Sequence, residues 1–201
     1  MKKFFALTLA FLMLVMLCSC MTPSITITRG TVNGDVYTND VLGFEFTKPS
    51  SWTYSTDEEI AEALELGLEY FDDEKFKNAL EYNPAIYDMM AVDSRTGTNI
   101  NVGYENLKKT FSSSMTEEQY LNKMEEQVQQ EASGMTVDFS DTFEKVKIGE
   151  TEFTKCISTV KASGITMTQA YYVKNIGGYM SYIIVTVTRG YTVADIEAMF
   201  K

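Results

Sequence analysis

The sequence predicts an α+β domain, an antiparallel β-sheet sandwiched by helices, and three observations predict it. Apolar residues recur at helical spacing behind two capping signals, Thr56-Asp57-Glu58-Glu59 and Thr116-Glu117-Glu118-Gln119. Beyond Gly134 the apolar period changes to two and stays there almost to the last helix. Short Gly-bearing connections separate those alternating runs, which suits antiparallel neighbours joined by hairpins.

The first element is expected to lie outside the folded domain. Met1-Lys2-Lys3 precedes 14 apolar or hydroxyl residues, Phe4 to Leu17. A membrane-spanning helix needs about 20 residues, so basic residues followed by a run of this length read as an export signal. Leu17-Cys18-Ser19-Cys20 resembles the lipobox of bacterial lipoproteins, with Leu three before the modified Cys and a small residue just before it. The resemblance implies cleavage ahead of Cys20 and a diacylglyceryl thioether on its thiol; an ordinary signal peptide cut nearby is the plainer alternative. Two acyl chains give stable anchoring where one is marginal. The expected organisation is therefore a lipoprotein signal peptide over 1–19, a lipidated tether over 20–24 and one domain over 25–201. The expected location is extracytoplasmic, on the outer surface of the plasma membrane rather than the outer membrane. Cys156 is then the only free thiol, and no intrachain disulfide can form.

Strands are expected around Ile25 to Val32 and Gly43 to Thr47, the latter ended by Pro49, with Trp52 plugging the end of the sheet. The helix behind Thr56 places Ile60, Leu64, Leu68 and Phe71 on one face and Glu58, Glu62, Glu65 and Glu69 on the other. A short helix over Asp73 to Leu80 follows. Ala85 to Val92 and Thr98 to Tyr104 form a hairpin about Ser94-Arg95-Thr96-Gly97. Thr116 then caps a helix whose stripe is Tyr120, Met124 and Val128, stopped by Gly134. The meander continues through Met135 to Phe139, Val146 and Ile148, Phe153 to Val160, Ile165 to Val173 and Tyr179 to Val187. A final helix capped by Thr192 carries Ile196 and Phe200.

The runs Val36-Tyr37-Thr38-Asn39 and Leu42-Gly43-Phe44-Glu45-Phe46, then Pro49, Trp52, Asn99-Ile100-Asn101-Val102, the Gly149 hairpin and Gly177-Gly178, resemble domains of the PsbP/Mog type over about residues 35 to 201. The resemblance implies a PsbP/Mog-like α/β/α sandwich. Its members range from photosystem assembly to nuclear-transport regulation and bacterial lipoproteins, so the fold does not carry a function across and brings no catalytic set.

Composition narrows the chemistry. The chain has 201 residues with no His, which excludes Ser-His-Asp and Cys-His activation and His-ligated metals in cis. With 17 Lys+Arg against 28 Asp+Glu, the net charge of −11 repels phosphate backbones, so no nucleic-acid partner is expected. No catalytic residue, cofactor or metal site is expected either. Asp72-Asp73-Glu74 lacks the alternating oxygen donors of an EF-hand, and Gly177-Gly178 is followed by a strand without the Lys-Ser/Thr of a phosphate loop. Cys156 reads as a small buried apolar side chain. Two surfaces remain as candidates. Glu58, Glu62, Glu65 and Glu69 could dock a basic partner, the bland reading being a solvated helix face. Tyr171, Tyr172, Tyr179 and Tyr182 could form an aromatic surface, the bland reading being core packing. The function expected is a non-enzymatic, lipid-anchored binding or assembly domain, held to membrane lipid through acylated Cys20, with a protein partner in the envelope. A small-ligand carrier with a pocket between sheet and helix is the alternative. A carboxylate-dependent hydrolase ranks third, because no pair of acids is marked by divergent surroundings.

Overall fold

A computed structural model describes residues 26–65, 71–132 and 134–201. Eleven strands alternate with five helices among the described residues. The strands are β1 (Thr31–Asn33), β2 (Val36–Asn39), β3 (Phe44–Thr47), β4 (Thr53–Tyr54), β5 (Ala85–Val92), β6 (Asn99–Asn106), β7 (Met135–Phe139), β8 (Glu144–Ile148), β9 (Thr151–Ala162), β10 (Ile165–Ile176) and β11 (Tyr179–Val187). The helices are α1 (Asp57–Leu64), α2 (Asp73–Tyr82), α3 (Leu107–Thr110), α4 (Glu117–Glu131) and α5 (Val193–Glu197). The fold class is thus α+β, as the period change predicts.

The main sheet has eight antiparallel strands in the order β4-β5-β6-β11-β10-β9-β7. Both β7 and β8 pair with β9, β8 along Thr151 to Lys155 and β7 along Ser158 to Ala162, so one edge is built in two pieces. The smaller sheet, β1-β2-β3, is extended beyond β3 by the segment after α5. Glu45 N donates to the Lys201 carbonyl at 3.0 Å, Lys201 N returns a bond to Glu45 at 2.9 Å, and Phe46 and Phe200 form the bridge between them. Gly149, at φ +58°, passes so close to the small sheet that a Cβ would lie 2.1 Å from the Gly43 carbonyl oxygen.

Strand alternation sends two sets of side chains to opposite faces of the main sheet. Face one carries Met89, Ala91, Ile100, Val102, Tyr104, Ala170, Tyr172, Ile183 and Val185, which pack with Tyr37, Phe44, Phe46 and Trp52 of the small-sheet region, with Ile60 and Phe76, and with Ile196. Face two carries Cys156, Tyr171, Val173, Met180 and Tyr182, packed with Leu107, Tyr120 and Leu121. Accordingly α1 and α2 contact β5, α5 contacts β10 and β11, and α4 contacts β7, β9 and β10. Trp52 is 2% exposed and donates from Nε1 to Tyr191 Oη at 3.0 Å, which satisfies its polar end inside the core.

Several expectations need correction. The strand expected over Ile25 to Val32 is reduced to Thr31–Asn33, because the Gly30 amide donates to a buried carboxylate instead of a strand neighbour. The first acidic helix ends at Leu64 on Glu65, which adopts φ +53°; Leu68 and Glu69 lie outside the described residues, and Phe71 is buried beyond the helix end. Its eight residues rest on a Thr56/Glu59 capping box, on Asp57, Glu58 and Glu59 facing the positive end of the helix, and on buried Ile60. Burying one such side chain contributes ~1.5–3 kcal/mol, against tenths for a like-charge pair. The last helix stops at Glu197, and Phe200 pairs with β3 because its ring is held by Phe44 and Phe46, with centroids at 5.2 and 5.1 Å. The expected signal peptide, Cys20 and tether lie outside the described residues.

Candidate binding surface

A polar cluster sits beneath the small sheet on face one. Tyr87 and Met89 straddle an irregularity in the β5–β6 register, and the extra residue, Asp88, points inward like its neighbours Ile86 and Met89. Its carboxylate accepts from Tyr37 Oη at 2.6 Å, from Asn39 Nδ2 at 3.1 Å and from the Gly30 amide at 3.0 Å, with Arg29 Nε 3.8 Å away. Asn39 also donates to Tyr104 Oη at 2.9 Å and accepts from the Leu42 amide at 2.9 Å. Burial pushes the Asp88 carboxyl up to about 6, against the opposing pull of these donors and of Arg29. Burial, and then the Asp88 charge, drive the Tyr37 hydroxyl well above its ordinary value.

Arg29 joins this cluster to α1. Its guanidinium pairs with Asp57, donates to the Phe71 carbonyl at 2.7 Å and stacks over the Phe71 ring at 5.3 Å. A cleft of about 380 Å³ opens beside it, between β1, α1 and β5, lined by Arg29, Thr31, Tyr54, Asp57 and Asp88. A carboxylate with a raised pKa beside a cleft is a general acid–base candidate. The Asp88 side chain, however, is fully buried and its oxygens are occupied by protein donors, so the cluster ties residues 26–30, β2 and β5 together. Sequence reasoning missed Asp88; the signal was a lone acid inside the apolar run Ala85-Ile86-Tyr87-Asp88-Met89-Met90-Ala91-Val92.

Face two has a different character. α3 and α4 cover the part around Leu107, Tyr120, Tyr171 and Tyr182. Beside it, two rows defined by strand register run across four strands: Met90, Asn101 and Ile184, ending at the covered Tyr171, then Val92, Asn99, the buried Thr186 and Gln169. Met90, Val92, Asn99, Asn101, Gln169 and Ile184 are half-buried. Neither row contains a charged side chain, in a chain whose net charge is −11. The polar side chains hold one another: Asn101 donates to Asn99 at 3.3 Å, Gln169 to the Thr186 hydroxyl at 3.2 Å, and Tyr171 Oη to Gln169 at 2.7 Å. A shallow hollow of about 370 Å³ lies over Ser55, Met90, Val92, Asn99 and Asn101.

The structure separates the expected site residues. Tyr171, Tyr172 and Tyr182 are 5%, 0% and 7% exposed, and Tyr179 is half-buried, so the expected aromatic surface is core. The physical reason is that helices cover both faces of β10 and β11: Tyr172 donates to Glu197 on α5 at 2.7 Å, while Tyr171 and Tyr182 lie under α3 and α4. Glu58 and Glu62 are exposed one turn apart on α1, Glu65 is exposed at its end, and none of the three forms an ion pair among the described residues. Cys156 is a buried free thiol whose pKa burial raises, and Lys155 points to the other face, where it pairs with Glu197 at 2.8 Å.

No family model and no curated protein matches the chain. Among solved structures, it is similar to the solution structure of cyanobacterial PsbP (CyanoP) from Synechocystis sp. PCC 6803, at 12% identity and TM-score 0.45 over 92% of this chain and 98% of that one. It is also similar to a crystal structure from Bacteroides thetaiotaomicron VPI-5482, at 12% identity and TM-score 0.43 over 87% of this chain and 48% of that one. The α+β class itself rests on the strand pairing and helix packing given above.

Proposed function

We propose that this protein is a non-enzymatic binding domain, anchored outside the cytoplasm by lipid on Cys20, that docks a protein partner of the cell envelope through the half-open rows of face two. The observation that carries the reading is the charge-free character of those rows. The centres of protein interfaces are depleted in charge and enriched in Met, and here the side-chain amides are already hydrogen bonded, Asn101 to Asn99 and Gln169 to the Thr186 hydroxyl, and need little ordering on contact. The exposed carboxylates Glu58, Glu62 and Glu65 offer a second region for basic groups of a partner, which Glu69 extends in the sequence pattern. A small-ligand role is the second reading, favoured by the cleft at Arg29, whose size falls within the range of ligand pockets.

The test places a photo-crosslinking residue at Val92 or Ile184, and at exposed Lys109 on α3 as control, in the lipidated protein within its native membrane. One adduct of defined mass from both row positions and none from Lys109 is expected. Equal labelling at all three positions, or none at the rows, would overturn the docking assignment. Mass spectrometry of the same material reads the anchor separately, as a diacylglyceryl group on an N-terminal Cys20.

A further inference from the structure

Three connections meet at the end of the main sheet opposite α3: the β5–β6 turn, the β9–β10 turn and the segment leaving β11. Buried Asp93 grips Arg95 there, with Nε 3.2 Å from Oδ1, Nη2 3.3 Å from Oδ2 and the Arg95 amide 3.0 Å from Oδ1. These bonds hold the Asp93 carboxyl below its usual range, and Tyr191 Oη adds a further bond at 3.4 Å. A guanidinium has five N–H donors, so two spent on Asp93 leave three on a side chain that is 68% exposed yet fixed in place. Arg189 is exposed and makes no ion pair among the described residues.

Both arginines line one groove of about 540 Å³, together with Gly97, Gly164, Ile165 and Met167, and no acid lines it. Ile165 is 58% exposed, a large apolar side chain left in water beside two cations. Two of its walls are tied together. Thr188 Oγ1 donates to the Thr96 carbonyl at 2.5 Å, and the Thr188 amide donates to Thr98 Oγ1 at 3.2 Å, which locks the β5–β6 turn to the end of β11. Preorganised guanidinium groups recognise oxyanions through paired, charge-assisted bonds, and exposed aliphatic surface next to them is released from water by an apolar substituent.

We propose that this groove binds an amphipathic oxyanion, a phosphate or carboxylate held between Arg95 and Arg189 with a short apolar tail over Ile165 and Met167. The site is distinct from the rows assigned to a protein partner, so either assignment can fail alone.

The test uses the full lipidated protein in phosphatidylcholine nanodiscs, titrated by calorimetry with hexyl phosphate and separately with inorganic phosphate. Hexyl phosphate binds saturably and more tightly than inorganic phosphate. Affinity falls about tenfold or more in Arg189→Ala and in Arg95→Gln, falls about fourfold or more in Ile165→Ser, and stays unchanged in Lys109→Ala. Absence of saturable binding, equal affinity for the two phosphates, or wild-type affinity in Arg189→Ala overturns the proposal. Adding phosphatidylglycerol to the nanodisc separates the sources while supporting the site either way: competition assigns a membrane headgroup, and undiminished hexyl phosphate binding assigns a soluble ligand.

Discussion

Replacing Asp88 by Asn removes a charge from the core without changing the side chain's size, and its effect should depend on pH with a defined sign. The folded carboxyl titrates at about 6 against an ordinary 3.8, raised first by burial. Between those values the folded chain holds a proton that the unfolded chain has released. The contribution of Asp88 to stability is therefore largest in acid and declines as pH rises through this window. At about 1.4 kcal/mol per pH unit the change amounts to about 3 kcal/mol, or roughly 6–12 °C in Tm for a chain of this size. Asp93 and Asp195 act the other way: hydrogen bonds, from the Arg95 side chain and the Thr192 hydroxyl respectively, lower their values, so their contribution is lost as acid protonates them. Wild type alone reports the sum of these opposing terms. The difference between wild type and Asp88→Asn isolates Asp88, since the amide does not titrate and the other carboxylates cancel. Urea unfolding at intervals from pH 3.5 to 7.5 should show that difference moving by about 3 kcal/mol in favour of wild type toward acid. The absolute stability of the variant, in which an amide N–H faces the donors of Tyr37 and Asn39, does not enter the readout. A difference that stays flat across the range would refute the reasoning, because it would mean that the donors and Arg29 fully offset the desolvation of the carboxylate.

Three further outcomes follow from the same geometry. Arg29→Gln loses the Asp57 pair and the Phe71 ring contact, costing about 1–3 kcal/mol at pH 7; the cost should shrink at pH 4, where Asp88 is protonated in either protein, and denaturant titrations at the two pH values check this. Gly103→Ala puts a Cβ 2.5 Å from both the Ile86 carbonyl oxygen and Tyr182 Oη, so thermal unfolding should show a loss of about 1–3 kcal/mol or more, with the sheet forced to shift. Thr116→Ala removes the hydroxyl that accepts from the Gln119 amide at 3.2 Å, and should cost about 1 kcal/mol in the same assay with α4 still formed.

Local signals carried much of the architecture. The capping boxes at Thr56, Thr116 and Thr192 start α1, α4 and α5 where the side-chain pattern places them, since the bond from hydroxyl to amide spans three residues and needs no distant partner. The period of two after Gly134 is likewise local, and it located β7 through β11. Segments whose conformation depends on a remote partner were not legible. The two-residue strand β4 exists only because Thr53 and Tyr54 meet Val92 and Ala91, and Phe200 leaves the helical pattern because two Phe rings and the β3 backbone receive it. Residues 26–30 alternate as a strand would, yet a carboxylate 58 positions later takes the Gly30 amide.

The candidate surfaces divide along the same line. That Glu58 and Glu62 share an outward face follows from helical geometry alone, and the structure leaves both exposed. The exposure of Tyr171, Tyr172, Tyr179 and Tyr182 depends on what lies above each sheet face, and alternation says only that neighbours point oppositely, never which side a helix will cover. By itself the chain determined its charge, its lack of imidazole, its period changes and its helix starts, all properties of single residues or neighbours a few positions apart. Only the tertiary structure decided that Asp88 is drawn inside, that the tyrosines are core, that an uncharged strip of Met, Val, Ile and amide side chains stays half open, and that Arg95 and Arg189 share one groove. Each of those depends on residues far apart in sequence competing for the same space, which is settled when the layers pack and not before.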